Sequence, residues 1–579
     1  MKKGFRAFIA TLLVFTMLFS VNASAATVSA GHNTAIRAVT TVLGGIIDGA
    51  ISLLGALAPT PDYPTVEEYF AGKSENFYEG TADFIDSAAQ GAQWSLGFGK
   101  ESLVPENLID GTKKYYTGGY FTQKVSGIYD DQKAIAIALE DGSGRGTTIF
   151  ASVDGIGVAN KDVRAIRAAA EKKLLEKGVF ANINAININA THCHTVIDTQ
   201  GIGLDLLPKI LKSFFTGADR SIDSEFLGVM IDRTADAIVE AYLNMEKGKL
   251  YYFESATMGK DETNGIFLDD EYPYLYNKRY YTEAFQNFFA CFKFVPDNEN
   301  SAATIFTNLG AHPTTISEST DLLSADFPAF MESEINAAGM NFMFIQGAQA
   351  PVSVNKWAEM PEDIVSRVDA EAAADPRVED YRIAKQLGYE FASLILDAEG
   401  KATEVEPILN VRMTEYAVPL GKGLLGYGAT EGFIGTTTVE DASSKTGYSI
   451  ITEAGYIEIG KDIVLLTAPG EIVPQLIYGK VISAEDSYLG TEWTLEATAN
   501  LVPEGKTVLV MGLCNDAIGY IVPDNDFAHF IADSIWNIDG ADKLFGTYHR
   551  HYEEMLSTGD KAGSATIAAL NALAKESNK

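Results

Sequence analysis

Apolar and polar positions follow two clear periods along the chain from about Trp94 onward. Short apolar runs that break at Gly, Pro or an acidic residue predict buried strands at 134–139, 147–153, 303–309, 341–346, 462–467 and 507–513. The segment from Ile183 to Ala190 alternates Asn with Ile or Ala, which is typical of a half-buried strand. Apolar residues at helical spacing predict helices at 161–177, 224–247, 379–397 and, rich in Ala, 562–575. This alternation predicts an α/β fold with a large mixed β-sheet core and flanking helices.

The first 90 residues have a different pattern. Basic residues at Lys2, Lys3 and Arg6 precede an apolar stretch that ends in Ala23-Ser24-Ala25, a form that signal peptidase cleaves. We therefore predict a signal peptide at 1–25 and a secreted or cell-surface protein. Residues 26–90 then form an N-terminal apolar helix and linker, and 91–579 the main domain.

Residues 35–58 are apolar nearly all round, with four glycines among them. Such a segment is either a helix docked on the main domain or a peripheral contact with a membrane surface. Prolines at 59, 61 and 64 then break the chain, which places a linker before the main domain.

Composition narrows the classes of partner. The chain of 579 residues has 44 basic and 78 acidic residues, for a formal net charge of −34. Such a surface repels nucleic-acid phosphates, so we expect no nucleic-acid partner. The three cysteines are few and odd in number, so stability should come from packing rather than from a disulfide framework.

The seven histidines are few enough for their positions to be informative. His192 and His194 flank Cys193 directly after the Asn/Ile strand. Residues i and i+2 of a strand point to the same side, so both imidazoles face one site if the strand continues. Taken alone, the pair is either part of a metal site or two hydrogen-bonded surface histidines.

Three further candidate ligands each follow an apolar strand that breaks at Gly or Pro. They are His312 in Gly-Ala-His-Pro-Thr, Glu471 in Pro-Gly-Glu, and Tyr520 at the end of Asn-Asp-Ala-Ile-Gly-Tyr. Strand ends are rigid points that present side chains to a shared crevice. Nitrogen and oxygen ligands of this kind suit zinc, although each piece taken alone is explained better by a turn or a helix cap.

The order of these motifs carries a resemblance. The chain resembles the neutral/alkaline (non-lysosomal) ceramidase family in the order of five motifs. These are a strand that leads into HxH, then AHPT, then a glycine-containing SxN segment, then PGE, then NxxxGY. Further matches are Leu96-Gly97-Phe98-Gly99-Lys100 with Pro105, Val153-Asp154, and Tyr552-Glu553 before Ser557. The resemblance covers about 94 to 560 and implies a zinc-dependent amidohydrolase that cleaves the N-acyl amide bond of ceramide or a similar N-acylated lipid.

The resemblance also implies roles for individual residues. Zinc ligands would be His192, His312, Glu471 and Tyr520. Groups that act on the substrate would be His194, Ser353 in the SxN segment, Tyr552 and Arg279. Ser353 would serve either as a nucleophile or as a hydrogen-bonding group.

The sequence departs from the family at both ends of the expected pocket. The family motif HTHSGPG is here His192-Cys193-His194-Thr-Val-Ile-Asp, and GDVSPN is reduced to Ala-Pro-Val-Ser-Val-Asn around Ser353. Because few residues follow Tyr520 in this sequence, we expect no counterpart of the immunoglobulin-like C-terminal domain of the family. Two alternatives therefore stay open: a catalytically altered surface or binding protein with this fold, and a hydrolase of a different amide or ester lipid.

Overall fold

The structure is a computed structural model that describes residues 61–119, 122–201, 220, 222–257, 274–277, 279, 285–421, 424–485, 487–527, 551 and 553–578. The predicted signal peptide and the apolar segment 35–58 lie outside the described residues. Within those ranges, no helix is both long and apolar enough to cross a membrane.

Twenty strands are described: β1 Trp94–Ser102, β2 Gly127–Ile128, β3 Lys133–Glu140, β4 Thr147–Val153, β5 Ile183–Ala190, β6 Glu246–Ala256, β7 Leu275–Asn277, β8 Phe288–Pro296, β9 Thr304–Leu309, β10 Leu322–Leu323, β11 Asn341–Gln346, β12 Val352–Val354, β13 Thr403–Glu404, β14 Leu409–Pro419, β15 Thr437–Glu440, β16 Tyr448–Ile459, β17 Ile463–Thr467, β18 Glu471–Ile472, β19 Thr507–Met511 and β20 Tyr520–Ile521. The described α-helices are α1 Val66–Ala71, α2 Glu106–Ile109, α3 Asn160–Glu176, α4 Ser224–Leu243, α5 Phe327–Ala337, α6 Glu362–Ala374, α7 Val378–Ala398, α8 Leu424–Thr430, α9 Pro474–Tyr478 and α10 Ala562–Ser577.

Two mixed sheets form the centre of the molecule. The larger runs in the order β11-β9-β8-β6-β1-β3-β4-β5, with β13 added beside β6. The smaller runs in the order β14-β16-β17-β19, with β15 beside β16. Within them, β4 and β5, β9 and β11, and β17 and β19 are parallel pairs. Two-stranded pairings also join β2 with β10, β7 with β12, and β18 with β20.

The two sheets pack together through a shared apolar layer. Ile137 and Met343 from the larger sheet and Ile457, Leu465 and Met511 from the smaller sheet belong to one buried cluster. Helices α3 and α4 pack against the larger sheet through a second cluster, and α5 and α7 do so through a third. Helix α10 packs on the smaller sheet. The predicted α/β class, with a large mixed β-sheet core and flanking helices, is confirmed, and the core consists of two packed sheets.

Most predicted elements agree with the structure to within a few residues, with one clear error of extent. The helix predicted at 224–247 ends at Leu243, and the chain turns directly into β6 at Glu246. The apolar positions 250 and 253 that follow are buried in the sheet.

The Asn/Ile strand differs from its prediction in a way that matters for the site. β5 is buried along nearly its whole length, including Asn187 and Asn189, so it is not half-buried. Asn515, which follows β19, accepts a hydrogen bond from the Ile188 N–H at 2.9 Å and donates one to Asn187 Oδ1 at 3.1 Å. Asn189 donates to the carbonyl of Gly512. A buried polar group is stable only when it is hydrogen-bonded, and these buried amides meet that need by bonding to one another and to the backbone. Their hydrogen bonds join the two sheets at the place where the candidate ligands follow the strands.

Candidate metal centre

The first histidine of the site follows β5 through a change of backbone direction. His192 has φ 68°, a left-handed conformation that costs a non-glycine residue about 1–3 kcal/mol. Its N–H donates to the carbonyl of Gly155, and its Nδ1 lies 2.8 Å from the carbonyl oxygen of Ile156. The strand ends at Ala190 and does not continue through His194, so these contacts rather than strand geometry aim the imidazole.

The second histidine is held in the same manner. His312 follows β9, and both its N–H and its Nδ1 point to the carbonyl oxygen of Val352, at 3.1 and 2.8 Å. Because each Nδ1 faces a carbonyl, it must carry the proton of a neutral imidazole, which leaves Nε2 as an acceptor. Metal-binding histidines are commonly oriented by such contacts.

The four predicted ligands come together in space. Glu471 Oε2 lies 3.2 Å from His192 Nε2 and 3.1 Å from His312 Nε2. The hydroxyl oxygen of Tyr520 lies 3.2 Å from His312 Nε2. Glu471 and Tyr520 begin β18 and β20 and are direct partners in that parallel pairing. All four side chains are buried.

The donor set fits a divalent cation. Ligand atoms of His192, His312 and Glu471 all lie within 4.8 Å of one another. Burial raises the pKa of Glu471, but the adjacent His192 and His312 outweigh it and hold that pKa below its usual range. Burial lowers the pKa of His312, which favours its neutral form. Two imidazole nitrogens and a carboxylate oxygen that converge in a buried site can share one divalent cation, and nitrogen and oxygen donors of this kind suit zinc.

His194 lies beside this cluster and has a carboxylate partner. Its Nε2 is 3.4 Å from His192 Nε2, and its Nδ1 is 2.8 Å from Glu318 Oε1. Glu318 was not among the residues that the sequence singled out. It lies in the Ser-Glu-Ser-Thr stretch after the second histidine, and nothing there distinguishes it from a solvated loop.

The remaining predicted residues are placed differently. Ser353 is buried in β12, where its backbone bridges to His312. Tyr552 lies outside the described residues. Arg279 is completely buried, and its guanidinium pairs with Asp526, Glu553 and Glu554 at 2.8–3.0 Å. Arg279 thus belongs to an internal ion cluster, and its role toward a substrate stays a prediction.

A small cleft opens beside the cluster. One wall carries polar side chains of the site, namely His192, His194 and Glu471. Much of the rest is apolar: Ile156, Leu425, Ile434, Leu513, Ala517 and Leu556. The arrangement places the buried polar cluster against a largely apolar surface.

No family model and no curated protein sequence matches the chain. Solved structures do resemble it. The neutral ceramidase from Pseudomonas aeruginosa aligns with a TM-score of 0.56 and 15% identity, over 84% of this chain and 74% of that one. A ceramidase complexed with C2 aligns with a TM-score of 0.55 and 14% identity, over 84% and 75%. The chain therefore has a neutral ceramidase-like fold.

Proposed function

We propose that this protein is a zinc-dependent hydrolase that cleaves the amide bond of an N-acylated lipid, ceramide or a close analogue. The observation that carries the proposal is the convergence of His192 Nε2, His312 Nε2 and Glu471 Oε2 on one buried point. The fold shared with the ceramidases and the apolar cleft beside the cluster support the choice of substrate.

Zinc held by His192, His312, Glu471 and Tyr520 would supply a Lewis acid and lower the pKa of the attacking water. In that hydrolysis the water oxygen bonds to the carbonyl carbon and the carbon–nitrogen bond breaks. The amine nitrogen takes up a proton as it leaves. The products are a fatty acid and an amine.

His194 is the group best placed to move that proton. Its Nδ1 contacts Glu318, so its Nε2 is the nitrogen that faces the cluster. A histidine held in this way accepts a proton from the nucleophile and returns it to the leaving amine, as general acid–base catalysis requires. Ser353, next to His312, would hydrogen-bond the substrate carbonyl.

The predicted signal peptide at 1–25 supports export of the protein. Export would place the enzyme at lipid surfaces outside the cytoplasm, and residues 35–58 remain the proposed peripheral contact with such a surface.

Metal content tests the centre directly. We expect the purified full chain to carry one zinc ion, and His192→Ala and His312→Ala to lose it. Cys193→Ala is the matched control. Cys193 lies between His192 and His194 in the sequence, but its Sγ contacts Thr191 Oγ1 and not the metal site. Burial raises the pKa of the Cys193 thiol, which disfavours the thiolate that binds metal. A folded protein without metal, or loss of zinc in Cys193→Ala, would contradict the proposed site.

A panel of N-acyl lipids and matched ester lipids tests the substrate class. We expect cleavage of the N-acyl lipids and a slower reaction in Ser353→Ala at unchanged zinc content. Preferential cleavage of esters would replace the amide substrate with an ester. Zinc binding without cleavage of any lipid would favour the altered binding protein.

A further inference from the structure

The side chain of Gln346 joins the loops that carry the two histidine ligands. Gln346 ends β11 and is completely buried. Its Nε2 donates to the carbonyl oxygens of Thr191 and Ala311, each at 2.9 Å. Its Oε1 accepts from the N–H groups of Ala311 and Gly347, each at 3.1 Å. The amide thus uses all of its hydrogen-bonding capacity.

The two carbonyls that Gln346 contacts belong to the peptide groups directly before His192 and His312. Each of these peptide groups is also held from its other side. The His192 N–H donates to Gly155, and the His312 N–H donates to Val352. One amide therefore fixes the positions of both ligand-bearing peptide groups relative to each other, including the strained one at His192.

The backbone of Gln346 extends this connection to a third loop. Its carbonyl oxygen accepts from the N–H of Gly512 at 3.0 Å, at the start of the loop that leads to Tyr520. Its N–H donates to Asn189 Oδ1 at 3.0 Å. The next residue after Gly512, Leu513, donates to the carbonyl of Gly470, which directly precedes Glu471. All four candidate ligands are thus tied to one buried glutamine through short chains of hydrogen bonds.

We propose that Gln346 is a positioning residue that sets the separation of His192 and His312 and thereby the affinity and geometry of the metal centre. The proposal rests on the proposed zinc site. Gln346 does not touch the ligand atoms themselves, and its effect passes through the peptide groups of Thr191 and Ala311.

Zinc affinity and the visible spectrum of the cobalt-substituted protein test this role without any substrate. Gln346→Glu keeps the shape of the side chain but replaces both donated hydrogen bonds with an oxygen that faces two carbonyls. We expect zinc affinity, measured by competition with a chelating dye, to fall about tenfold to a hundredfold. The cobalt absorption bands should shift at the same time, because the coordination geometry changes.

Gln286→Glu is the matched control. Gln286 is also buried, and its Nε2 likewise donates to two backbone carbonyls at 2.9 Å, those of Phe288 and Asn308. It does not contact the peptide groups that precede the histidines. We expect the zinc affinity and cobalt spectrum of this variant to match the wild type.

The outcomes separate this inference from the proposed function. A folded Gln346→Glu with wild-type affinity and spectrum overturns the role of Gln346 and leaves the zinc site standing. Equal weakening in Gln286→Glu overturns it too, since the effect is then general destabilisation. A wild-type chain that binds neither metal overturns both. If Gln346→Glu does not fold, Gln346→Asn takes its place, because the shorter side chain cannot reach both loops. Weaker zinc binding in Gln346→Asn supports the role of Gln346, and unchanged zinc binding overturns it.

Discussion

Each histidine of the metal centre uses its two ring nitrogens for different tasks. In His192 and His312, Nδ1 is anchored on a backbone carbonyl and Nε2 faces Glu471. In His194, Nδ1 is anchored on a carboxylate instead. The group that anchors Nδ1 therefore differs between the two candidate metal ligands and His194, the proposed proton carrier.

Glu318→Gln should slow the reaction without disturbing the metal. The amide still hydrogen-bonds to His194, but it no longer stabilises the imidazolium that forms during proton transfer. We expect kcat to fall about tenfold to a hundredfold at unchanged zinc content, because general acid–base catalysis contributes about 10²–10⁴ and only part of it is lost. Steady-state kinetics and metal analysis on the same preparations measure both quantities.

Glu390→Gln provides the control for that experiment. Glu390 is buried and accepts a hydrogen bond from Tyr274 at 2.9 Å. We expect the Glu390→Gln variant to have the kcat of the wild type. A Glu318→Gln enzyme with full kcat, or one that loses its zinc, would contradict the assigned role of Glu318.

The sequence singled out the residues that converge on the candidate site but not Glu318 and Gln346, which contact their neighbours. His192, His312, Glu471 and Tyr520 follow strands that break at Gly or Pro, a local signal that can be read along the chain. Glu318 and Gln346 act through partners 124 and 155 residues away. The spacing of apolar and polar residues along the chain does not indicate such contacts, because they form only when the sheets and loops have assembled.

At the scale of elements, strand β1 and helix α4 approach each other unusually closely. A Cβ atom on Gly97 would lie 1.9 Å from the carbonyl oxygen of Ala241, and one on Gly99 would lie 2.2 Å from that of Ala237. Both contacts are with helix backbone, which cannot rotate away as a side chain can. The glycines of the Leu-Gly-Phe-Gly-Lys segment therefore determine how the helix seats on the sheet.

Gly97→Ala should destabilise the fold. The added methyl group forces helix and strand apart, and overpacking of this kind costs about 1–3 kcal/mol. Chemical unfolding measures the loss. Gly228→Ala, an exposed position in the same helix with open space around it, should instead gain about 0.5–1 kcal/mol from helix propensity. Equal stability of the two variants would contradict the close packing.

Elements with a simple apolar pattern were predictable, and those with buried charge were not. Strands β4, β9 and β11 are short apolar runs, and their bounds agree closely with prediction. The long strand β16 escaped prediction. It is buried along almost its whole length but carries Glu453, which pairs with Arg167 of α3 at 2.9 Å. A charge neutralised from a distant helix interrupts the apolar pattern that identifies a buried strand.

At the scale of the whole molecule, buried acids make stability depend on pH. Burial raises the pKa of Asp154 and of Asp516 to about 7, against ordinary values near 3.8. Between about pH 4 and pH 7 the folded state therefore binds more protons than the unfolded chain. The free energy of unfolding contributed by these two groups falls as the pH rises through this range. Glu471, whose pKa is lowered, acts in the opposite sense only at more acidic pH.

Asp516→Asn should flatten this dependence. The amide keeps the oxygen that accepts from the Asn160 and Ala517 N–H groups, but it no longer titrates. The slope of the unfolding free energy between about pH 4 and 7 should become shallower by up to about 1.4 kcal/mol per pH unit. Asp86→Asn removes one acidic group from an exposed position and controls for net charge. An unchanged slope in Asp516→Asn would show that this carboxyl does not stay protonated in the folded protein.

The distribution of ligands along the chain has a consequence for how the protein matures. His192 lies 328 residues before Tyr520, and Glu471 and Tyr520 are neighbours only through the pairing of β18 with β20. During vectorial synthesis the early histidines emerge long before their oxygen-donor partners exist. The four proposed ligands are therefore available together only after Tyr520 has been synthesised, so the proposed site cannot be complete on a shorter nascent chain.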